Sequence, residues 1–168
     1  MDDWDNFYML AGGTAGTLIG LIFVVITLGI DHAKKGDDLG ARVFVTPILV
    51  YFTSLLVISM VMVPPMSAMV RAVSLGVIGC AGLAYVLNLT LISWGGGLSR
   101  GEGLTNGLRM LYYLLLPLAS YALIAAGAVA WALEAPFANA ITAVAVVILL
   151  VTALRNSWMI TLAIARRE

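Results

Sequence analysis

The chain has 168 residues, of which 62% are hydrophobic and 11% are charged, and its formal net charge is zero. A soluble domain carries about 25% charged residues, so this composition leaves no length for one. The charge balance also excludes the basic face of a nucleic-acid-binding protein, and we expect no nucleic-acid partner. The single cysteine, Cys80, excludes an intrachain disulfide.

Five apolar segments follow one another along the chain, and each is long enough to cross the roughly 30 Å hydrocarbon core of a bilayer. They run over residues 7–30, 43–63, 72–93, 110–133 and 137–158. We therefore predict an all-α, polytopic membrane protein with five transmembrane helices in a single domain over residues 1–168, embedded in the lipid bilayer. Residues 159–168 are predicted to form a short amphipathic tail at the cytoplasmic surface.

The first segment is crowded with small residues. One row is spaced by four residues and a second row is spaced by seven, namely Gly12, Gly16 and Gly20, and Asn6, Gly13, Gly20 and Thr27, with Thr17 beside them. Lipid tails are as apolar as leucine, so helices in a membrane associate through small residues that let their backbones approach. We predict that this is the central helix and that one seam packs against other helices or lines a pore: Gly13, Gly16, Thr17, Gly20 and Thr27.

Two helical hairpins, over residues 43–93 and 110–158, are predicted to follow the central helix, because the outer connections are short. Basic residues set the orientation in the membrane. One side holds Lys34, Lys35, Arg42, Arg100, Arg109, Arg166 and Arg167, and the other holds Arg71 together with Asp2, Asp3, Asp5 and Glu134. The positive-inside rule places the N-terminus outside and the C-terminus in the cytoplasm, which an odd number of spans allows.

Polar side chains at membrane depth are candidates for function. Asn88 is the most polar uncharged residue within a span, and it shares a helix face with Cys80, Ala81 and Ala84. Its amide either bonds a neighbouring helix or contacts a pore or substrate. We expect no metal or cofactor, because the sequence has no metal-ligand spacing.

Arg155 is the one charge inside an apolar segment, and Asn156 follows it. If the last span ends near Trp158, Arg155 extends to the cytoplasmic headgroups; if the span continues to Arg166, Arg155 is buried and needs a partner. In either case Asp31, which closes the first helix on the same side, is the predicted ion-pair partner.

Two stretches resemble a known group of proteins. The stretch AGGTAGTLIGLIFVVITL in the first helix, and Arg155-Asn156-Ser157-Trp158 near the end, resemble small bacterial inner-membrane proteins. Some members of that group are labelled modulators of a membrane-bound AAA protease. The resemblance implies a multi-pass protein of the bacterial inner membrane and a role in binding a protein partner, and it brings no catalytic residues.

The residues do not predict an enzyme, because one histidine and one cysteine supply neither a nucleophile–base pair nor a metal site. The first hypothesis is a homo-oligomer that forms a small channel or pore, because small proteins build a conduction path by symmetric assembly. The second is a non-conducting scaffold or accessory subunit that binds another membrane protein through the same small residues.

Overall fold

The computed structural model describes residues 3–30, 38–95 and 114–165, and all the regular secondary structure in these ranges is helical. Five helices follow one another: α1 (Asp3–Ile30), α2 (Asp38–Met62), α3 (Ala68–Gly95), α4 (Leu116–Ala132) and α5 (Ala138–Ala165). The predicted all-α class is confirmed.

Three of the helices are long and apolar enough to cross a membrane, within the ranges described. Their apolar stretches are Trp4–Val25 in α1, Ala68–Leu91 in α3 and Ala138–Met159 in α5. The apolar stretches of α2 and α4, Thr46–Met62 and Leu116–Ala132, are shorter. The 17 residues of α4 extend about 26 Å, slightly less than a hydrocarbon core. The structure therefore supports a membrane protein with three clear spans, fewer than the five predicted.

Helix ends differ from the predicted span limits by up to about two turns. Pro64 and Pro65 end α2, as a residue without an N–H must. The next helix begins at Ala68, before its predicted start, because the hydroxyl of Ser67 accepts the N–H of Val70 at 3.4 Å and caps the first turn. Within the predicted tail at 159–168, α5 continues as far as Ala165, and the tail's place at the cytoplasmic surface stays a prediction.

By its contacts the chain divides into two compact units, Met1–Val63 with Ala153–Glu168, and Pro64–Thr152. In the first unit α1 packs on α2. The buried side chains of α1 in this unit recur at helical spacing, at Tyr8, Ala11 and Ala15. Those of α2 include Tyr51, Phe52, Leu55, Ile58 and Met62.

α1 comes close to α2 at Gly12. A Cβ on Gly12 would lie 2.7 Å from the Cβ of Ser59, closer than side chains tolerate. Ser59 is only 4% exposed, and its hydroxyl has no hydrogen-bond partner within the described ranges. Because Gly12 has no side chain, its backbone can lie this close to Ser59 of α2.

We predict that Gly12→Ala destabilises the first unit by about 1–3 kcal/mol, because the added methyl overpacks a closed contact. The matched control is Gly13→Ala one residue along, where a Cβ would meet nothing within 4 Å. Thermal unfolding in detergent measures the difference. Equal unfolding temperatures for the two variants would show that α1 and α2 have room for a methyl group at Gly12.

In the second unit α3 packs on α4 through glycines spaced by three. Cβ atoms on Gly79 and Gly82 would meet the backbone nitrogen of Ala125 at 2.9 Å and the ring of Tyr121. This pairing of α3 with α4 is not one of the two predicted hairpins. Those were inferred from short connections, whereas here complementary surfaces pair two helices across the longer connection 96–113, which lies outside the described residues.

The same unit joins α4 to α5 at one more glycine. A Cβ on Gly127 would lie 2.8 Å from the hydroxyl oxygen of Thr142, which is fully buried. Thr142 donates its own proton to the carbonyl of Ala138 at 2.9 Å. The hydroxyl is thus satisfied within α5, and α4 can lie directly against it.

Arg71 secures the turn before α3. Its guanidinium donates to the carbonyl of Pro64 at 3.1 Å and lies 4.8 Å from the centre of the Trp131 ring. A cation over an indole face is stabilised by the ring's quadrupole. Arg71, the one basic residue predicted on its side of the membrane, is therefore held by the protein itself.

Candidate functional site

The face of α1 opposite to α2 is open. Gly13, Thr17, Gly20 and Thr27 are all exposed, and neither Gly13 nor Gly20 would bring a Cβ within 4 Å of any other atom. We call these four residues the α1 stripe. They lie opposite Tyr8 and its buried neighbours because adjacent residues in a helix are 100° apart.

The structure divides the predicted seam into two parts. Gly12 belongs to the contact with α2, and Gly16 is half-buried, with a Cβ position 3.9 Å from Leu56. The α1 stripe forms the other part. The two glycine rows were predicted as one seam, but they diverge around the helix, and only one of them meets α2.

The threonines of α1 use their protons within the helix. Thr17 donates to the carbonyl of Gly13 at 2.9 Å, and Thr27 donates to that of Phe23 at 2.8 Å. Such bonds are the usual way for a threonine to satisfy its hydroxyl without water. Because each proton is already used, the hydroxyl oxygens present only acceptor lone pairs to a neighbour.

A shallow open groove runs along the N-terminal half of this face. It is lined by Met9, Leu10, Gly13, Thr14, Thr17 and Leu18. The groove has a glycine at its floor and larger side chains at its rims, and Leu10 is 72% exposed. A helix with small side chains fits such a shape, because its backbone can descend to the glycine.

The outward face of α3 carries the predicted amide. Asn88 is exposed, and so are Cys80, Ala81 and Ala84 on the same face. The side-chain amide of Asn88 makes no hydrogen bond within the part of the chain that is described. The face therefore combines small side chains with one amide that has both donors and an acceptor to offer. We call these four residues the Asn88 face.

The late polar residues lie on different sides of α5. Arg155 is half-buried, while Asn156 is 1% exposed and its Oδ1 has no hydrogen-bond partner among the described residues. The helix continues past both of them to Ala165. The predicted partner of Arg155, Asp31, lies outside the described residues, so the proposed ion pair stays a prediction.

Sequence reasoning missed a close contact between α3 and α4. Gly76, Gly79 and Gly82 of α3 are spaced by three, and Gly79 and Gly82 approach α4 most closely. Their spacing is visible in the sequence, but close helix packing was predicted only for the longer glycine row in α1. The signal that would have found them is a row of glycines facing alanines at matching spacing in α4.

These surfaces offer binding by shape and hydrogen bonds. For metal binding, ranges 3–30, 38–95 and 114–165 contain no group of three or more His, Cys, Asp or Glu side chains that could hold an ion. No protein-family model matches the chain, and no curated protein or solved structure matches it significantly. The likeness to small bacterial inner-membrane proteins therefore stays a resemblance.

Proposed function

We propose that the chain is a five-span protein of the bacterial inner membrane, which assembles from several copies of itself and encloses a small ion-conducting pore. The observation that carries the proposal is the open space at Gly13 and Gly20 on a helix long enough to span.

An outward glycine on a spanning helix favours contact with another helix. Against lipid, Gly20 presents only backbone to mobile acyl chains, whereas a helix that lies against it gains close and lasting dispersion contacts. Thr17 and Thr27 add acceptors at the same surface. The stripe that α2 leaves uncovered is therefore suited to a second copy of α1 or to another helix of a second copy.

A pore at the axis of such an assembly would be narrow and uncharged. The exposed residues of α1 between Met9 and Thr27 carry no charge. Selectivity would then depend on the pore diameter and on hydroxyl and carbonyl oxygens that replace part of an ion's hydration. Symmetric closure around an axis supplies the path that one small chain lacks.

The orientation proposed follows from the basic residues. Five crossings place seven Lys and Arg residues on the cytoplasmic side and leave Arg71 outside. The short apolar stretches of α2 and α4 are compatible with crossing, because polar ends extend to the headgroups and the bilayer thins locally. The N-terminus is then outside and the C-terminus is cytoplasmic.

The alternative function is a non-conducting scaffold or accessory subunit. The same stripe would then receive a helix of another membrane protein. The internal hydrogen bonds of Thr17 and Thr27 favour such a contact, because a threonine bonded within its own helix needs no water.

Reconstitution separates the two functions. The purified protein in liposomes loaded with potassium salt is expected to release the ion down its gradient, with protein-free liposomes as the control. A channel gives flux that rises with protein density, whereas a scaffold is electrically silent and co-purifies with a membrane partner at fixed ratio. Silent liposomes that contain correctly folded, multimeric protein would contradict the pore.

A further inference from the structure

The Asn88 face of α3 needs a partner that can accept hydrogen bonds. An amide directed at acyl chains is costly, because nothing in lipid bonds it, and intramembrane polar side chains of this kind usually bond another helix. Asn88 is exposed, and its side chain makes no hydrogen bond within the described ranges. The exposed Ala84 one turn before it would let another helix come close.

The α1 stripe has the complementary chemistry. Its threonine hydroxyls have donated their protons and retain only acceptors. Gly20 has no side chain, and a Cβ there would have no neighbour within 4 Å, so another helix can come close beside the threonines. An amide N–H can bond a threonine oxygen, so a donor face on α3 matches an acceptor face on α1.

If the apolar stretches of α1 and α3 are each centred in the bilayer, and both helices cross from the same side, the two faces are expected at similar depth. The apolar stretch of α1 has its middle between Thr14 and Ala15, and that of α3 has its middle between Gly79 and Cys80. Because both helices rise by the same distance per residue, Asn88 lies as far from the middle of its stretch as Phe23 does from the middle of α1's stretch. It therefore falls between Gly20 and Thr27 of the α1 stripe, within about one helical turn of each.

We propose that the α1 stripe of one copy receives the Asn88 face of α3 of the next copy. This inference rests on the proposed self-assembly, and it names the surface that the stripe contacts. A contact between two different faces is heterologous, and successive heterologous contacts close into a ring when the rotation allows. A ring is the symmetry that a central pore needs.

Disulfide cross-linking tests the contact, because Cys80 is the only cysteine and is exposed on the Asn88 face. Thr17→Cys supplies a thiol about two residues from the level of Cys80, and copper phenanthroline oxidises the full-length protein in liposomes. With both thiols present, we expect a ladder of dimers, trimers and larger species. Cys80 alone and Thr17→Cys with Cys80→Ser are each expected to remain monomeric on a denaturing gel.

The matched control moves the second thiol to α4. Ala126 is exposed, and the neighbouring Ala125 contacts Gly79, so Ala126 lies near the depth of Cys80. Thr17→Cys, Cys80→Ser and Ala126→Cys together are expected to give no ladder. Asn88→Leu in the cross-linking background is expected to reduce the ladder by about threefold or more, the loss expected for one interhelical hydrogen bond.

Other results would overturn the inference in distinguishable ways. Dimers from Thr17→Cys with Cys80→Ser mean that α1 meets α1, which removes this contact and leaves the proposed assembly in place. Dimers from Cys80 alone mean that α3 meets α3. A disulfide that leaves the protein at monomer mass, together with a monomer in native mass spectrometry, removes both this contact and the proposed assembly.

Discussion

Gly82→Ala is expected to lower the stability of the second unit by about 1–3 kcal/mol, and Gly82→Leu by more. The new Cβ would fall on the ring of Tyr121, which is fully buried and cannot swing into solvent. The helices must therefore separate or the ring must leave its rotamer, and both lose packing along α3 and α4. Thermal unfolding in detergent, followed by circular dichroism, measures the loss.

Gly76→Ala is the control for this prediction, because it makes the same chemical change on the same helix. A Cβ on Gly76 would lie 3.8 Å from the Cβ of Ala128, an ordinary contact. Alanine also stabilises a helix interior by about 0.8–1.0 kcal/mol relative to glycine. Gly76→Ala should therefore unfold at the wild-type temperature or above it. If both variants unfolded at the wild-type temperature, the α3–α4 contact would not be as close as described.

Gly20→Leu is expected to abolish ion flux while leaving the fold intact. Nothing lies within 4 Å of a Cβ at this position, so the leucine does not strain its own chain. It does occupy the space that another helix needs, and small residues at such a contact are seldom replaceable by large ones. Flux from potassium-loaded liposomes should fall to the protein-free rate, and the unfolding temperature should stay at or above that of the wild type.

Ala126→Leu is the control for Gly20→Leu. It places the same side chain on an exposed position of α4, outside both the α1 stripe and the Asn88 face. Flux through this variant should equal that of the wild type. Undiminished flux through Gly20→Leu would contradict a role for the stripe in conduction.

The class of the protein could be predicted because it depends on composition and run length. Apolar runs of spanning length are a direct property of the sequence, and proline ends helices for a local reason, as at Pro64. α3 extends beyond its predicted limits because the apolar run is shorter than the helix, and Ser67 adds a cap outside the run.

The pairing of helices could not be predicted in the same way. Loop length favoured neighbours, but the contact between Gly82 and Tyr121 depends on two surfaces that fit together, and a single sequence does not state which helix faces which. The same limit applied to α1. Its glycines indicated close packing, yet only the structure separates Gly12, which meets α2, from Gly20, which does not.

Asn88 and Asn156 illustrate the limit for polar residues. The sequence places both amides at membrane depth, but a sequence alone does not distinguish an exposed amide from a buried one. In the structure Asn88 is exposed on α3, whereas Asn156 is 1% exposed. Only an exposed amide is available to another chain, which is why the proposed contact uses Asn88.

The mass of the detergent-solubilised protein tests most directly whether the open face of α1 joins copies of this chain. Native mass spectrometry compares the wild type with Gly13→Leu and Gly20→Leu combined, both at positions where an added Cβ would have no neighbour within 4 Å. We predict a multimer for the wild type and a folded monomer for the variant. A monomeric wild type, or a variant that keeps the wild-type mass, would contradict the account.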